Sequence, residues 1–204
     1  MPSIKSLELA RTFHVEPIPA VCFTSTIEPH IPSPGEIHFL TGPSGSGKSS
    51  LLRAIKAAKP DVLIDLADVR PPDVSVIDCL QSDVPASLRL LADVGLAEVD
   101  LCFKTPSQLS EGQHWRLRLA MLFERVIETP QPKCVICDEF CALLDTLSAS
   151  VVARQLRKFV WRHKERVSAI VASSRDDFAP ALAADRITVC DFDSSRISTS
   201  PDQP

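Results

Sequence analysis

The sequence predicts an α/β fold built on a mostly parallel sheet with helices on both faces. Short apolar runs of strand length recur at Glu36–Leu40, Asp61–Leu66, Lys133–Asp138, Val167–Ala172 and Arg186–Cys190. Segments of helical period alternate with them, at Lys48–Ala58, around Ala86–Leu96, at Glu111–Val126 and at Ser148–His163. Strands that alternate with helices are joined by crossovers, and crossovers make parallel sheets. A chain of 204 residues is long enough for one such domain with a real core and too short for two full ones.

Residues 1–35 are Pro-rich with short apolar runs, a pattern of antiparallel edge strands and loops. EIHFL then alternates as a short strand and leads into a Gly/Ser loop. The helix that opens at Lys48 is stopped by Pro60. Pro71, Pro72, Pro85 and Pro106 break up residues 67–108, leaving room for two short helices. Lys133–Asp138 reads as a buried strand. The helix at Ser148–His163 sets Val152, Leu156, Phe159 and Val160 at core-facing spacing. Residues 1–190 are read as one domain, and residues 191–204, ending SSRISTSPDQP, as a disordered tail.

Hydrophobic residues make up 45% of the chain and charged residues 24%, which excludes a disordered or fibrous protein. The net charge of −4 gives no bulk attraction to nucleic acid or anionic lipid. No apolar run approaches the roughly 20 residues of a membrane span, and the N-terminus lacks the apolar stretch of a secretory signal. The expected location is the cytoplasm, with any membrane role exercised through a partner rather than by insertion. The seven cysteines are expected to be reduced and buried; Cys134 and Cys137 form a CxxC, but inside an apolar strand and without a second ligand pair.

Gly42-Pro43-Ser44-Gly45-Ser46-Gly47-Lys48-Ser49 satisfies G-x-x-x-x-G-K-[ST] between a strand and a helix, and Ser50 continues it into the helix. Glycines let the backbone wrap so that successive N–H groups point inward at phosphate oxygens, and the helix N-terminus adds partial positive charge. Lys48 is positioned to bring a full charge to the β- and γ-phosphates, and the Ser49 hydroxyl to ligate Mg²⁺. The apolar strand ending in Asp138 and Glu139 supplies the complementary chemistry. Asp138 at the strand tip can hold the hydration shell of Mg²⁺, and Glu139 can polarise a water for in-line attack on the γ-phosphate.

Leu109-Ser110-Glu111-Gly112-Gln113 precedes a helix that contains Arg116 and Ala120, and is similar to the LSGGQ signature of ABC-type ATPases with Glu111 in place of the first Gly. Asp138-Glu139-Phe140-Cys141-Ala142-Leu143-Leu144-Asp145 resembles the Walker B to D-loop stretch of the same family, and Ala184-Asp185-Arg186-Ile187 the strand after its switch loop. The resemblance covers about residues 30–190 and implies a P-loop NTPase of ABC type, with a reduced helical subdomain at about 67–125. It implies a head-to-tail homodimer around Mg-ATP, in which Ser110, Gly112 and Gln113 reach the ATP of the other copy and Asp145 stands at the D-loop position. Ser110 and Gln113 also suit an ordinary capping box.

The departures are specific. After the strand VSAIVA the chain reads Ser173-Ser174-Arg175-Asp176, which puts Arg175 at the family's switch histidine. Arg175 can bind a γ-phosphate but cannot relay a proton. Asp65–Asp68 stands where a Q-loop glutamine is expected, and Gln81 lies too late. Phe13 is the candidate for stacking on adenine. LSEGQHWRLRLA, CDEF and the short helical region look most like the small ABC-type ATPases found fused to, or beside, a GNAT-type acetyltransferase domain.

Arg154, Arg157, Lys158, Arg162, Lys164 and Arg166 crowd one stretch with Trp161 among them, which is either a contact for a phosphate backbone or a solvated helix face. Three outputs are consistent with these residues, and the short helical region, the absent Q-loop glutamine and the basic helix favour the first. The first is a soluble ATPase that switches a protein or nucleic-acid partner. The second is the nucleotide-binding subunit of a membrane transporter, and the third is a kinase on the same scaffold.

Overall fold

A computed structural model describes residues 30–191 and the backbone of 196–199. The N-terminal strands expected before residue 30, together with Phe13 and Cys22, lie outside the described residues. In chain order the elements are β1 (Ile37–Thr41), α1 (Lys48–Ala58), β2 (Leu63–Asp65), α2 (Val84–Asp93), α3 (Val99–Cys102), α4 (Glu111–Glu128), β3 (Lys133–Cys137), α5 (Thr146–Arg162), β4 (Val167–Ser173), α6 (Ala179–Leu182), β5 (Arg186–Val189) and β6 (Arg196–Thr199). The strands form one sheet in the order β2-β3-β4-β1-β5-β6, parallel except for the last pair.

Alternation along the strands divides the core between the two faces. On β1, Ile37 and Phe39 point to one face and Leu40 to the other; on β3, Val135 and Cys137 oppose Cys134 and Ile136. The smaller face is closed by α1 through Leu51, Leu52 and Ile55, each contributing about 1.5–3 kcal/mol by burial. The larger face takes α4 and α5, with Phe123 and Phe159 stacked at 3.9 Å between ring centroids. Both cysteines of the CxxC are therefore buried on opposite faces of one strand and cannot grip a single ion. Burial pushes the Cys134 thiol up to about 12.

Several boundaries differ from expectation for local reasons. The strand expected over 61–66 shortens to Leu63–Asp65, because 3₁₀ turns occupy Pro60–Val62 and Leu66–Asp68. Helix α2 starts at Val84, before the expected Ala86, because Asp83 caps it by accepting from the Ala86 N–H at 2.9 Å and Pro85 is tolerated in a first turn. Residues 196–199, expected within a disordered tail, form β6 antiparallel to β5. The parallel sheet leaves the edge of β5 unpaired, and an extended segment there satisfies its backbone groups.

Among the described residues no helix is long and apolar enough to cross a membrane.

Candidate nucleotide site

The C-terminal ends of three adjacent strands, β3, β4 and β1, meet at one pocket of about 200 Å³. β1 delivers the loop residues Ser44, Gly45, Gly47, Lys48, Ser49 and Ser50; β3 delivers Asp138 and Glu139; β4 delivers Ser173 and Ser174. The phosphate loop and the acid pair are far apart in sequence and share this pocket because parallel strands bring their C-terminal ends to one edge.

The loop is tightly constrained. Gly42 has φ +135°, and a Cβ there would stand 2.0 Å from the Cys190 carbonyl oxygen. Gly42→Ala is therefore expected to destabilise the fold by about 2–4 kcal/mol, read as a lower urea midpoint; a wild-type midpoint would contradict this geometry. The Lys48 ammonium donates to the carbonyls of Gly42 at 2.7 Å and Pro43 at 2.8 Å, so the lysine lies across the loop it belongs to. The Ser46 hydroxyl is buried without a hydrogen-bond partner among the described residues.

The acid pair stands on a strained turn. Glu139 and Cys141 have φ values of 50° and 56°, in the left-handed region, where a non-glycine residue costs about 1–3 kcal/mol. Phe140 between them offsets that cost. It is fully buried, packs edge-on against Trp115 and Phe178 at 5.4 Å each, and its N–H donates to the Ala172 carbonyl at 2.8 Å. The anchor leaves Glu139 exposed at the pocket.

Magnesium takes oxygen ligands and keeps several waters, sharing its shell with phosphate rather than sitting in an all-protein cage. Ser49 and Asp138 bring a hydroxyl and a carboxylate to the same pocket, and no cluster of three or more His, Cys, Asp or Glu suited to a metal exists among the described residues. This donor set fits Mg²⁺ bound together with a polyphosphate.

Ser110, Gly112 and Gln113 do not line this pocket. Ser110 caps α4 in a reciprocal box, its hydroxyl accepting from the Gln113 N–H at 3.2 Å while the Gln113 side chain accepts from the Ser110 N–H at 3.0 Å. Gly112 packs against the acid turn, where a Cβ would meet Leu144 at 3.0 Å. Asp145 caps α5 through the Ser148 N–H at 2.9 Å, and bonding from Ser148 holds its carboxyl below the usual range.

Arg175 departs from the sequence expectation. It is turned away from the pocket toward the turn before α5. A guanidinium has five N–H groups. Nε and one Nη2 proton go to the Asp177 carboxylate at 3.0 and 2.6 Å, the other Nη2 proton goes to Thr146 Oγ1 at 3.4 Å, and Nη1 serves the Cys141 carbonyl at 3.3 Å and that of Leu144. All five N–H groups are thus engaged, with the Asp177 carboxylate holding the fork, and Arg175 does not line the pocket. Ser174, one residue earlier and exposed at the pocket, takes the place expected of Arg175. The serine pair was missed because a hydroxyl after a strand carries no charge signal in sequence.

The basic stretch is largely committed within the molecule. Arg157 forms a two-pronged ion pair with Asp185, Arg162 pairs with Asp93 at 3.0 Å, Arg166 donates to the Ile127 carbonyl at 2.7 Å, and Lys164 stands 4.8 Å above the Trp161 ring. In the segment at the Q-loop position, Asp65 caps the turn at Ala67 and pairs with Lys56, while the Leu66 and Val69 carbonyls accept from Arg118 of α4.

No protein-family model matches the chain. It is 33% identical over 176 residues to the aliphatic sulfonates import ATP-binding protein SsuB of Delftia acidovorans, covering 77% of this chain and 69% of that one. It is 31% identical over 207 residues to the aliphatic sulfonates import ATP-binding protein SsuB 1 of Paracoccus denitrificans, covering 92% and 79%. The chain belongs to the ABC-type ATP-binding proteins. A solved ATP-binding cassette, dimeric in a post-hydrolysis state with ADP and Pi, superposes with a TM-score of 0.64 at 17% identity over 85% of this chain and 89% of that one, and shares the fold. As an ABC-type ATPase, the chain binds ATP and hydrolyses it.

Proposed function

We propose that this ABC-type ATPase is the nucleotide-binding subunit of a membrane importer. Two copies close head-to-tail around two Mg-ATP. The observation that carries the two-copy site is spatial: the phosphate loop and the acid pair share one pocket, while Ser110 and Gly112 start a helix outside it. A helix N-terminus with a serine cap is an anion-binding device, and a second copy brings it to the γ-phosphate. In each site Gly42–Ser49 grips the phosphates, Ser49 and Asp138 hold Mg²⁺, and Glu139 polarises the attacking water. Ser110, Gly112 and Gln113, and Asp145 at the crossing turn, come from the partner copy. ATP then joins the copies, and hydrolysis releases them.

Import as the output is supported by the names of the two relatives, both import ATP-binding proteins. These favour the transporter subunit over the acetyltransferase-associated type and over a nucleic-acid switch, two of whose helix arginines, Arg157 and Arg162, are paired with acids of the same chain. Placement at the cytoplasmic face of a membrane follows from the same reading, through separate spanning subunits.

Mixing tests the shared site. Lys48→Ala and Gly112→Asp are each expected to be inactive alone, since each damages both sites of its own dimer. Mixed, they form heterodimers with one intact site and regain phosphate release. A mixture as inactive as its components would count against a site built from two copies. Co-expression with membrane-spanning importer subunits tests the output: transport that requires Glu139 supports import, and ATP turnover that those subunits neither bind nor alter opposes it.

A further inference from the structure

We propose that Arg175 is a positioning residue for hydrolysis: fixed by Asp177, its guanidinium holds the Cys141 and Leu144 carbonyls and keeps the turn bearing Glu139 in its strained form. The inference rests on the reading of Glu139 as the residue that polarises water.

The turn does not hold itself. Glu139 and Cys141 both adopt left-handed backbone; Phe140 and Cys141 are fully buried, while Glu139, Ala142 and Leu143 are exposed. Beyond Phe140 the turn closes on Ala142 N–H to Glu139 O at 3.0 Å and Leu144 N–H to Cys141 O at 3.1 Å. The carbonyls of Cys141 and Leu144 converge on Arg175 Nη1, so one planar group fixes both ends of the segment. Its Nη2 reaches Thr146, in the first turn of α5, and so ties in the start of that helix as well.

Arg175 is itself locked at the other side. Asp177 engages it in a two-pronged pair, and its backbone N–H donates to the Ser173 hydroxyl at 3.2 Å. Ser173 and Ser174 form the wall of the pocket on the β4 side, adjoining the wall that carries Asp138 and Glu139. The guanidinium thus couples two walls of the pocket without entering it. A lysine offers three donors from one point and cannot serve two carbonyls, a hydroxyl and a bidentate carboxylate together.

The test compares Arg175→Ala, Arg175→Lys and Asp177→Asn with Glu139→Gln, measuring ATP Kd by titration and kcat and KM by phosphate release. Arg175→Ala is expected to lower kcat about tenfold or more while Kd for ATP stays within about twofold, as misplacement of a reacting group does. Arg175→Lys is expected not to rescue it, and Asp177→Asn to fall between. Wild-type kcat in Arg175→Ala overturns the proposal, as does a parallel fall in kcat and affinity. If Arg175→Ala does not fold, Arg175→Lys and Asp177→Asn decide in the same way. Full turnover in Glu139→Gln would remove the underlying reading; an inactive Glu139→Gln beside a fully active Arg175→Ala removes only the positioning role.

Discussion

Lys48→Ala is expected to abolish ATP binding at concentrations that saturate the parent protein. The lysine is the full positive charge among the pocket residues on the phosphate loop, and its ammonium lies across the carbonyls of Gly42 and Pro43. Removing a charge-assisted bond to phosphate costs about 3 kcal/mol, which is roughly a hundredfold in Kd. Two loop carbonyls also lose their donor, so the cradle loses preorganisation as well as charge. Titration with ATP gives the affinity, and circular dichroism on melting separates it from unfolding. Lys48→Arg is not a conservative control, because a planar fork does not fit where a point charge bridges two carbonyls. Unchanged affinity in a folded Lys48→Ala protein would exclude this loop as the phosphate site.

Glu139→Gln is expected to lower ATP turnover by about a hundred- to ten-thousand-fold, the usual worth of a positioned base. Glutamine keeps the size of the side chain and donates where the carboxylate accepts, so the turn survives and only the ability to polarise water is lost. The backbone there is independently held: Phe140 is fully buried, and the Glu139 N–H donates to Asp138 Oδ1 at 3.0 Å. ATP binding therefore remains. With hydrolysis blocked, two copies stay joined by the γ-phosphate they share, and size-exclusion with ATP shifts to the dimer. Turnover close to the parent value would remove Glu139 from the mechanism. A variant that neither hydrolyses nor dimerises with ATP would point to closure that requires the spanning subunits.

The cysteines illustrate how far a strand pattern carries. Cys134 and Cys137 are buried on opposite faces simply because side chains alternate along β3. The basic stretch illustrates the opposite case. Its charge density is visible in sequence, but the acids that pair with Arg157 and Arg162 are not adjacent: Asp185 and Asp93 arrive from the loop before β5 and from α2. Arg175 is a similar case: its donors go to a nearby carboxylate, a hydroxyl and two carbonyls brought together by the fold, and it does not line the pocket.

Residue order alone is enough to read the α/β class, the phosphate loop, the acid pair and the capped helix at Ser110. Each of these is a local pattern, in which spacing, glycine and charge dictate backbone shape within a few residues. Folding in three dimensions is what puts Ser174 rather than Arg175 at the pocket, leaves Ser110 outside it, and closes a sheet edge with residues 196–199. Those outcomes depend on which groups from distant segments reach a donor or a free strand first, and that competition is settled by packing.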